Sequence, residues 1–293
     1  MKLKVAACLA LVAFVTLPGA PSPAASGSGA AVRVLHLVDR SRTIRLPSGR
    51  RVPRPVTTYV RVPASGTGPW PLIVFGHGYA VTPGIYAQLL QAWVRAGYVV
   101  AAPLFPLGNK YAAGGPNESD IVNQPRDLSF VISQLLAAGA APGNRLHGLI
   151  DGSHVAVAGQ SDGGETAFAA TYDARYRDPR IDAAVILSGA RLPGQAFRFS
   201  KPDVPLFAAQ GTADRINPPR YTDEFYEAAS RPKFLLTLTA AGHLPPYTSE
   251  QPQLGIVERV TTAFFDRYLK EGSAHAIVAA GSVRGVAQLS ARP

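Results

Sequence analysis

Ser161 stands at the centre of the pentapeptide Gly159-Gln160-Ser161-Asp162-Gly163, which matches the pattern G-x-S-x-G. An apolar run, residues 154–158, precedes it and has the composition of a buried strand, whereas residues 164–171 have a helical pattern. In a sharp strand-to-helix turn, small flanking residues lift the serine oxygen above the sheet, and the helix N-terminus faces developing negative charge. A plain turn serine is the structural alternative, but the flanking strand and helix favour a nucleophile.

The predicted nucleophile needs a general base, because a serine hydroxyl is too weakly acidic to attack an ester unaided. In sheets with this kind of turn the chain order is serine, acid, histidine, and only His243 and His275 follow Ser161. His275 lies in an ambiguous C-terminal tail, whereas His243 follows the apolar run KFLLTLTAAG at the carboxyl end of a predicted strand. We predict that His243 is the base; the structural alternative is a hydrogen-bonded loop histidine.

The base in turn needs a carboxylate that orients it. Asp214 follows the run VPLFAAQG, at the carboxyl end of a predicted strand, where the ligand sites of parallel sheets gather. Four other acidic residues lie at the wrong end of a strand or within a helix, namely Asp182, Asp203, Asp223 and Glu224. The sequence therefore predicts a triad of Ser161, Asp214 and His243, with a turn aspartate as the structural alternative for Asp214.

A tetrahedral intermediate also needs two N–H donors for its oxyanion. The backbone N–H of Asp162 is one candidate, and the loop GHGYAVTPG supplies the other at Tyr79. The ring of Tyr79 and the side chain of Gln160 are the candidate substrate-binding groups. We expect His77 to be structural and the carboxylate of Asp162 to face away from the oxyanion, since negative charge there would oppose catalysis.

The elements that must position these residues alternate along the chain. Short continuous apolar runs, typical of strands covered on both faces, alternate with amphipathic helical patterns at residues 82–97, 124–139 and 255–272. This order predicts an α/β fold with a mainly parallel central sheet and helices on both faces, and the first two strands form an antiparallel edge. We expect one catalytic domain at residues 26–272, followed by a C-terminal extension, 273–293, that is either a last strand or a loose tail.

The first 25 residues have the pattern of a signal peptide: two lysines, thirteen apolar residues and a tract rich in small residues. Its removal would also remove Cys8, the one cysteine, so no disulfide could form. It would leave 27 basic residues against 19 acidic ones, a net charge of +8. The arginines are scattered, so we expect no nucleic-acid partner. Thirteen apolar residues are too few to span a bilayer, so we also expect no stable membrane anchor. We expect the protein to be secreted and monomeric.

With these residues in place, the chain resembles the α/β-hydrolases. Within them it is similar to a secreted group that spans dienelactone-hydrolase-like proteins, platelet-activating-factor acetylhydrolases, chlorophyllases and cutinase-like polyester hydrolases. The resemblance covers residues 32–272 and rests on these segments, in the order of the group: VDRSRTIRLPSGRRVPRPVTTYVRVPA, LIVFGHGY, QPRDLSFVISQL, VAVAGQSDGG, GTADRINPP and AGH. The polyester hydrolases usually carry an aromatic residue where this chain has Gln160, and a C-terminal disulfide.

We therefore expect a secreted serine esterase that needs neither metal nor cofactor and cleaves small-molecule or polymeric esters through an acyl-enzyme. The connection between residues 191 and 203 is too short and too rich in proline and glycine for a lipase-type lid. The loop at 106–124 is then the expected wall of an open site, which favours short to medium acyl chains or accessible bulky esters. The alternatives are a polyester hydrolase, a peptidase or amidase with the same triad, and a catalytically silent binding protein.

Overall fold

The computed structural model describes residues 31–191, 200 and 202–293. The predicted signal peptide lies outside the described residues, as does most of the connection at 191–203 for which no lid is expected. The described residues form one nine-stranded sheet. Its strands are β1 (Val32–Arg45), β2 (Arg51–Arg61), β3 (Trp70–Gly76), β4 (Val99–Pro103), β5 (Ile150–Gln160), β6 (Ile181–Leu187), β7 (Leu206–Gly211), β8 (Lys233–Leu238) and β9 (Ala287–Arg292).

The sheet has the spatial order β1-β2-β4-β3-β5-β6-β7-β8-β9. Strands β3 to β8 run parallel to one another, whereas β1 and β2 at one edge and β9 at the other are antiparallel to their neighbours. The mainly parallel sheet and its antiparallel N-terminal edge are as expected from the sequence. The reversal of chain order between β3 and β5 is the kind of point at which open parallel sheets form clefts beyond their carboxyl ends.

Helices cover both faces of the sheet. They are α1 (Ala87–Arg95), α2 (Gln124–Ala140), α3 (Asp162–Tyr172), α4 (Pro219–Ala228), α5 (Gln253–Leu269) and α6 (Ala274–Gly281). Side chains alternate along each strand, so the core falls into two parts. One contains Trp93 of α1 and Phe264 of α5, and the other contains Leu128 of α2, Phe168 of α3 and Phe225 of α4. This is the predicted α/β-hydrolase architecture with helices on both faces.

One strand is longer than its sequence pattern predicts, and one region that the sequence left open has a defined structure. Strand β1 continues seven residues beyond Val38, because a register shift between Asp39 and Thr43 lets the polar residues there leave the ladder before pairing resumes. The C-terminal tail was expected to form either a last strand or a loose extension, and it forms a strand. After α6, β9 pairs with β8 over six residues. Residues 273–293 thus complete the edge of the same sheet.

The described part of the chain contains no helix that is both long and apolar enough to cross a membrane.

Candidate active site

Ser161 occupies the turn between β5, which ends at Gln160, and α3, which begins at Asp162. Its backbone has φ 57° and ψ −123°, a conformation that costs a residue with a side chain roughly 1–3 kcal/mol. The turn is held because the Ser161 N–H donates to Leu187 O at 3.0 Å, and Ser161 O accepts from the N–H groups of Gly164 and Glu165. The strain therefore lies at the predicted nucleophile, which is 8% exposed.

The two glycines of the motif are needed for close approach of backbone segments. A Cβ at Gly159 would overlap the carbonyl group of Gly163, and a Cβ at Gly163 would overlap the carbonyl group of Gly76 at the end of β3. Any side chain at either position would push α3 away from the sheet. The pattern G-x-S-x-G thus follows from packing of the turn between β5, α3 and the neighbouring strand.

The three predicted triad residues meet beyond the carboxyl ends of β5, β7 and β8. Ser161 Oγ lies 3.0 Å from His243 Nε2, and His243 Nδ1 lies 2.8 Å from Asp214 Oδ2. Both distances are ordinary hydrogen bonds. With Nδ1–H donated to Asp214, Nε2 is left to accept the Ser161 proton, which is the arrangement that general-base activation of a serine requires.

Asp214 is buried but held as a carboxylate. Burial alone would raise the pKa of Asp214, but hydrogen bonds from His243 and from the backbone N–H of Asn217 lower it below 3.8 overall. Asp214 Oδ1 accepts from the N–H groups of Ile216 and Asn217, both at 2.9 Å. The acid is therefore anchored by its own loop, and one of its oxygens is left to face His243.

Tyr79 and Asp162 line the same cleft as Ser161 and His243. The backbone N–H of Asp162 is at the first position of α3, where a helix has no internal acceptor for it. The Tyr79 ring is 39% exposed, and its hydroxyl donates to Pro116 O at 3.0 Å, so the ring is tied to the loop at 106–124. Both residues thus lie at the cleft, and their oxyanion roles remain a prediction.

His77 is a structural residue, as expected. Its Nε2 accepts the Phe105 N–H at 3.0 Å, so Nδ1 carries the proton and donates to Gly78 O at 2.7 Å. Burial lowers the pKa of His77 to about 4, despite the opposing hydrogen bond to Gly78 O. The neutral ring joins the end of β3 to the segment that follows β4.

Gln160 lies in the cleft lining, but its polar atoms are used within the protein. Its Oε1 accepts the Tyr86 hydroxyl at 2.7 Å, and its Nε2 donates to His243 O at 3.1 Å and lies 3.2 Å from His243 Nε2. The Tyr86 oxygen also accepts the Gly78 N–H at 3.3 Å. Gln160 therefore connects the nucleophile turn to the loop of His243, a role that is additional to its predicted contact with substrate.

Asp162 is the unusual group of the cleft. The residue is 3% exposed, and Oδ2 is buried with no hydrogen-bond partner among the described residues. Burial, and secondarily the negative charge of Glu118, raise the pKa of Asp162 to about 7. Glu118 belongs to the expected wall at 106–124 and lines the cleft. The side chain of Asp162 is therefore a buried acid next to the nucleophile, and its raised pKa favours the protonated form up to about neutral pH.

The cleft has a volume of about 320 Å³ and is lined mainly by apolar surface. A larger depression of about 570 Å³ lies between α1, α5 and α6, away from the triad. The smaller cleft is the candidate site, because it alone of the two combines an apolar lining with a hydrogen-bonded nucleophile, base and acid.

Sequence reasoning missed Asn217. The residue is 7% exposed and lines the cleft, and its Nδ2 donates to Ser188 O at 2.9 Å and to Ser161 Oγ at 3.3 Å. Its spacing three residues after Asp214, just before two prolines, is the one signal in the sequence that could have indicated a loop folded back onto the acid. Nothing in the sequence indicates that the amide reaches the nucleophile.

Two comparisons with known proteins give similar results. Residues 36–187 match the model of the family described as Chlorophyllase. Chlorophyllase-2 of Arabidopsis thaliana is 28% identical over 141 residues, which cover 46% of this chain and 40% of that protein. The match thus spans less than half the length of this relative.

The family match contains Ser161 but ends before Asp214 and His243, so the assignment of the base and the acid depends on the geometry described above. The match nevertheless extends over just over half of the 293 residues and includes β3, β5 and the turn at Ser161. Together with the parallel sheet, it agrees with an α/β-hydrolase fold. The chain belongs to the chlorophyllase family of α/β-hydrolases.

Proposed function

We propose that this protein is a secreted serine carboxylic ester hydrolase that acts through an acyl-enzyme. The observation that carries the proposal is the continuous chain of hydrogen bonds from Asp214 through His243 to Ser161 Oγ, at 2.8 and 3.0 Å, in an apolar cleft. A catalytically silent binding protein has no need for a strained serine whose hydroxyl is hydrogen-bonded to a histidine that a carboxylate orients.

In the proposed reaction Ser161 Oγ attacks the ester carbonyl carbon while its proton passes to His243 Nε2. The carbonyl electron pair moves to oxygen, where the backbone N–H groups of Tyr79 and Asp162 stabilise the negative charge. His243 then protonates the departing alcohol. In the second half, His243 takes a proton from water, the hydroxide attacks the acyl carbon, and the bond to Ser161 Oγ breaks as His243 returns the proton.

The proposed substrates are esters of short to medium acids, or bulky esters whose carbonyl is accessible. A cleft of about 320 Å³ is small for a long acyl chain, and its lining includes Val81, Ile216 and Leu244 together with two tyrosines. The family name and the Arabidopsis relative make chlorophyll an ester to include among the substrates tested. No metal or cofactor takes part in the proposed reaction, and the protein is proposed to act as a monomer without a membrane anchor or a nucleic-acid partner.

The test compares wild type with Ser161→Ala, His243→Ala and Asp214→Asn on p-nitrophenyl esters from acetate to palmitate, on peptide anilides, on chlorophyll and on a polyester film. Wild type should hydrolyse soluble esters and react with a fluorophosphonate at Ser161. Ser161→Ala and His243→Ala should each lose nearly all turnover, and the double variant should lose little more, because the residues act as one unit.

Asp214→Asn should lose less than either of these two variants, since the serine and its base remain in place. A wild-type protein that neither turns over esters nor reacts with the fluorophosphonate would refute the proposal. Preferential cleavage of anilides or of the film would replace the ester class by an amidase or a polyester hydrolase. Near-normal turnover by His243→Ala would mean that the base is another residue.

A further inference from the structure

The side chain of Asn217 contacts the oxygen that reacts. Nδ2 lies 3.3 Å from Ser161 Oγ and 2.9 Å from Ser188 O, and the residue is 7% exposed. The backbone N–H of the same residue donates to Asp214 Oδ1 at 2.9 Å. One residue of the loop after β7 therefore touches both the nucleophile and the acid of the proposed triad.

The orientation of this amide is fixed by its partners. The carbonyl oxygen of Ser188 can only accept a hydrogen bond, so the group that faces it must be the NH₂ end of the amide. The second hydrogen of Nδ2 is then available to Ser161 Oγ, whose own hydrogen is donated to His243 Nε2. Ser161 Oγ is thus a donor to the base and an acceptor from Asn217.

The loop around Asn217 is itself held from the sheet side. Gln210 Nε2, at the end of β7, donates to Asn217 O at 3.1 Å and to Asp214 Oδ2 at 3.2 Å. Gln210 Oε1 accepts the Thr222 hydroxyl at 2.6 Å, which fixes the orientation of the Gln210 amide. The backbone of Asn217 is therefore fastened independently of its side chain, so a change of side chain leaves the anchors of Asp214 in place.

We propose that Asn217 is a further catalytic residue, whose Nδ2–H stabilises negative charge on Ser161 Oγ in both halves of the reaction. The inference rests on the proposed function, because it assigns a role at the same nucleophile. In acylation the charge develops as the Oγ proton passes to His243. In deacylation the bond between the acyl carbon and Oγ breaks, its electron pair goes to Oγ, and His243 returns the proton.

The distance of 3.3 Å suits this role. With a neutral hydroxyl the hydrogen bond is long and weak, whereas with an oxygen that carries negative charge it becomes charge-assisted, shorter and stronger. An interaction that strengthens only when charge develops lowers the barrier without tightening the ground state. This donor acts on Oγ itself, whereas the predicted oxyanion donors Tyr79 and Asp162 act on the carbonyl oxygen of the substrate.

The experiment measures acylation and deacylation separately in the burst phase of p-nitrophenyl acetate hydrolysis. Asn217→Ala removes the donor, and Asn217→Asp keeps the shape but replaces Nδ2 by an oxygen that can only accept when ionised. Both rate constants should fall by about 10- to 150-fold in Asn217→Ala, the range expected for one lost hydrogen bond to a developing charge. Asn217→Asp should fall at least as far, and KM should change less than kcat.

Thr261→Val is the matched control, because it removes buried side-chain hydrogen bonds far from the cleft, to Trp93 and to Val257 O. Thr261 Oγ1 accepts the Trp93 Nε1–H at 2.9 Å, between α1 and α5. The control should lower the melting temperature by about as much as Asn217→Ala, while its acylation and deacylation rates stay within twofold of wild type. The kinetic loss in the Asn217 variants is then separate from a loss of stability.

Asn217 variants with both rate constants within twofold of wild type would overturn the inference, as would an Asn217→Asp variant that keeps full activity. Equal kinetic losses in Thr261→Val would overturn it as well, since they would trace the effect to stability. These failures are distinguishable from failure of the proposed function, in which wild type itself shows no burst and no reaction of Ser161 with a fluorophosphonate.

Discussion

The substitution Asp162→Asn tests the most unusual electrostatic feature of the cleft. Asp162 is buried at the start of α3, and Oδ2 has no hydrogen-bond partner among the described residues. Burial and the charge of Glu118 raise the pKa of Asp162 from 3.8 to about 7. An asparagine has the same shape but cannot ionise, so the substitution removes the charge and leaves the backbone N–H in place.

The magnitude follows from the pKa. A difference between 3.8 and about 7 disfavours the ionised form in the folded protein by roughly 4 kcal/mol, at about 1.4 kcal/mol per unit of pKa. This net value already includes the favourable interaction of the carboxylate with the backbone at the start of α3. We therefore expect Asp162→Asn to raise the free energy of unfolding by roughly 4 kcal/mol at pH 8.

The sign of the pH dependence is fixed by which state holds the proton. Between pH 4 and 7 the folded protein keeps a proton on Asp162 that the unfolded chain has lost, so this group makes wild type less stable as the pH rises. The penalty is absent below about pH 4 and complete above about pH 7. The difference between Asp162→Asn and wild type should therefore grow from near zero at pH 4 to its full value at pH 8.

Urea denaturation at pH 4.5, 6 and 8 measures this difference, and Glu118→Gln is the control. Removing the Glu118 charge should stabilise the protein at pH 8 by less than Asp162→Asn does, because burial is the larger cause of the raised pKa. The ratio of kcat/KM, Asp162→Asn over wild type, should also rise several-fold from pH 6 to pH 8, since a negative charge on the residue next to Ser161 disappears. A stability difference that is independent of pH, or a less stable variant at pH 8, would refute the reasoning.

Three further predictions concern the scaffold, the substrate and the N-terminus. Arg54→Met should lower the free energy of unfolding by about 3–5 kcal/mol in urea denaturation. The substitution leaves Asp120 and Asp127 buried without the guanidinium that bonds both at 2.6–2.9 Å. The control Arg51→Met, at an exposed position of the same strand, should change the free energy of unfolding by less than about 0.5 kcal/mol. Initial rates on p-nitrophenyl esters should be highest at about two to eight acyl carbons, because an open cleft gains little of the roughly 0.8 kcal/mol per methylene of a longer chain. The rate should also rise smoothly as the substrate concentration passes the solubility limit, whereas a jump in rate there would show a lid. Mass spectrometry of exported protein should find a new N-terminus between about residues 24 and 28, and an intact Met1 or a lipid on Cys8 would contradict the signal peptide.

The sequence predicted the parts of the site that depend on chain order. Ser161, Asp214 and His243 each follow an apolar run with the composition of a strand, and parallel strands bring their carboxyl ends to one edge. The need for glycine at positions 159 and 163 was predictable as well, because close backbone approach is the physical reason for glycine in that motif. Local pattern and topology were together sufficient to bring together the three residues whose two hydrogen bonds define the triad.

The sequence could not show contacts made by side chains far apart in the chain. Tyr86 reaches Gln160 across 74 positions, and Arg54 reaches Asp120 and Asp127 across more than 60. No periodicity encodes which buried tyrosine or arginine will meet which partner, since any of several would suit the pattern. The raised pKa of Asp162 was equally hidden, because the residue alone suits a helix N-terminus, whereas burial and the charge of Glu118 disfavour the ionised form.

Two unfavourable features of the fold lie next to each other at the cleft. Ser161 has a strained backbone, and Asp162 beside it is a buried acid whose Oδ2 has no hydrogen-bond partner among the described residues. The strain at Ser161 has a reason in the proposed chemistry, because the sharp turn exposes Oγ and opens the N-terminus of α3 to the oxyanion. The charge at Asp162 has no such reason in the proposed chemistry, since negative charge close to the nucleophile disfavours a developing oxyanion. Asp162→Asn therefore separates two explanations: a stabilised and faster enzyme at pH 8 would mean that the acid restricts the reaction to lower pH, whereas a stabilised but slower one would mean that the carboxyl group takes part in substrate binding.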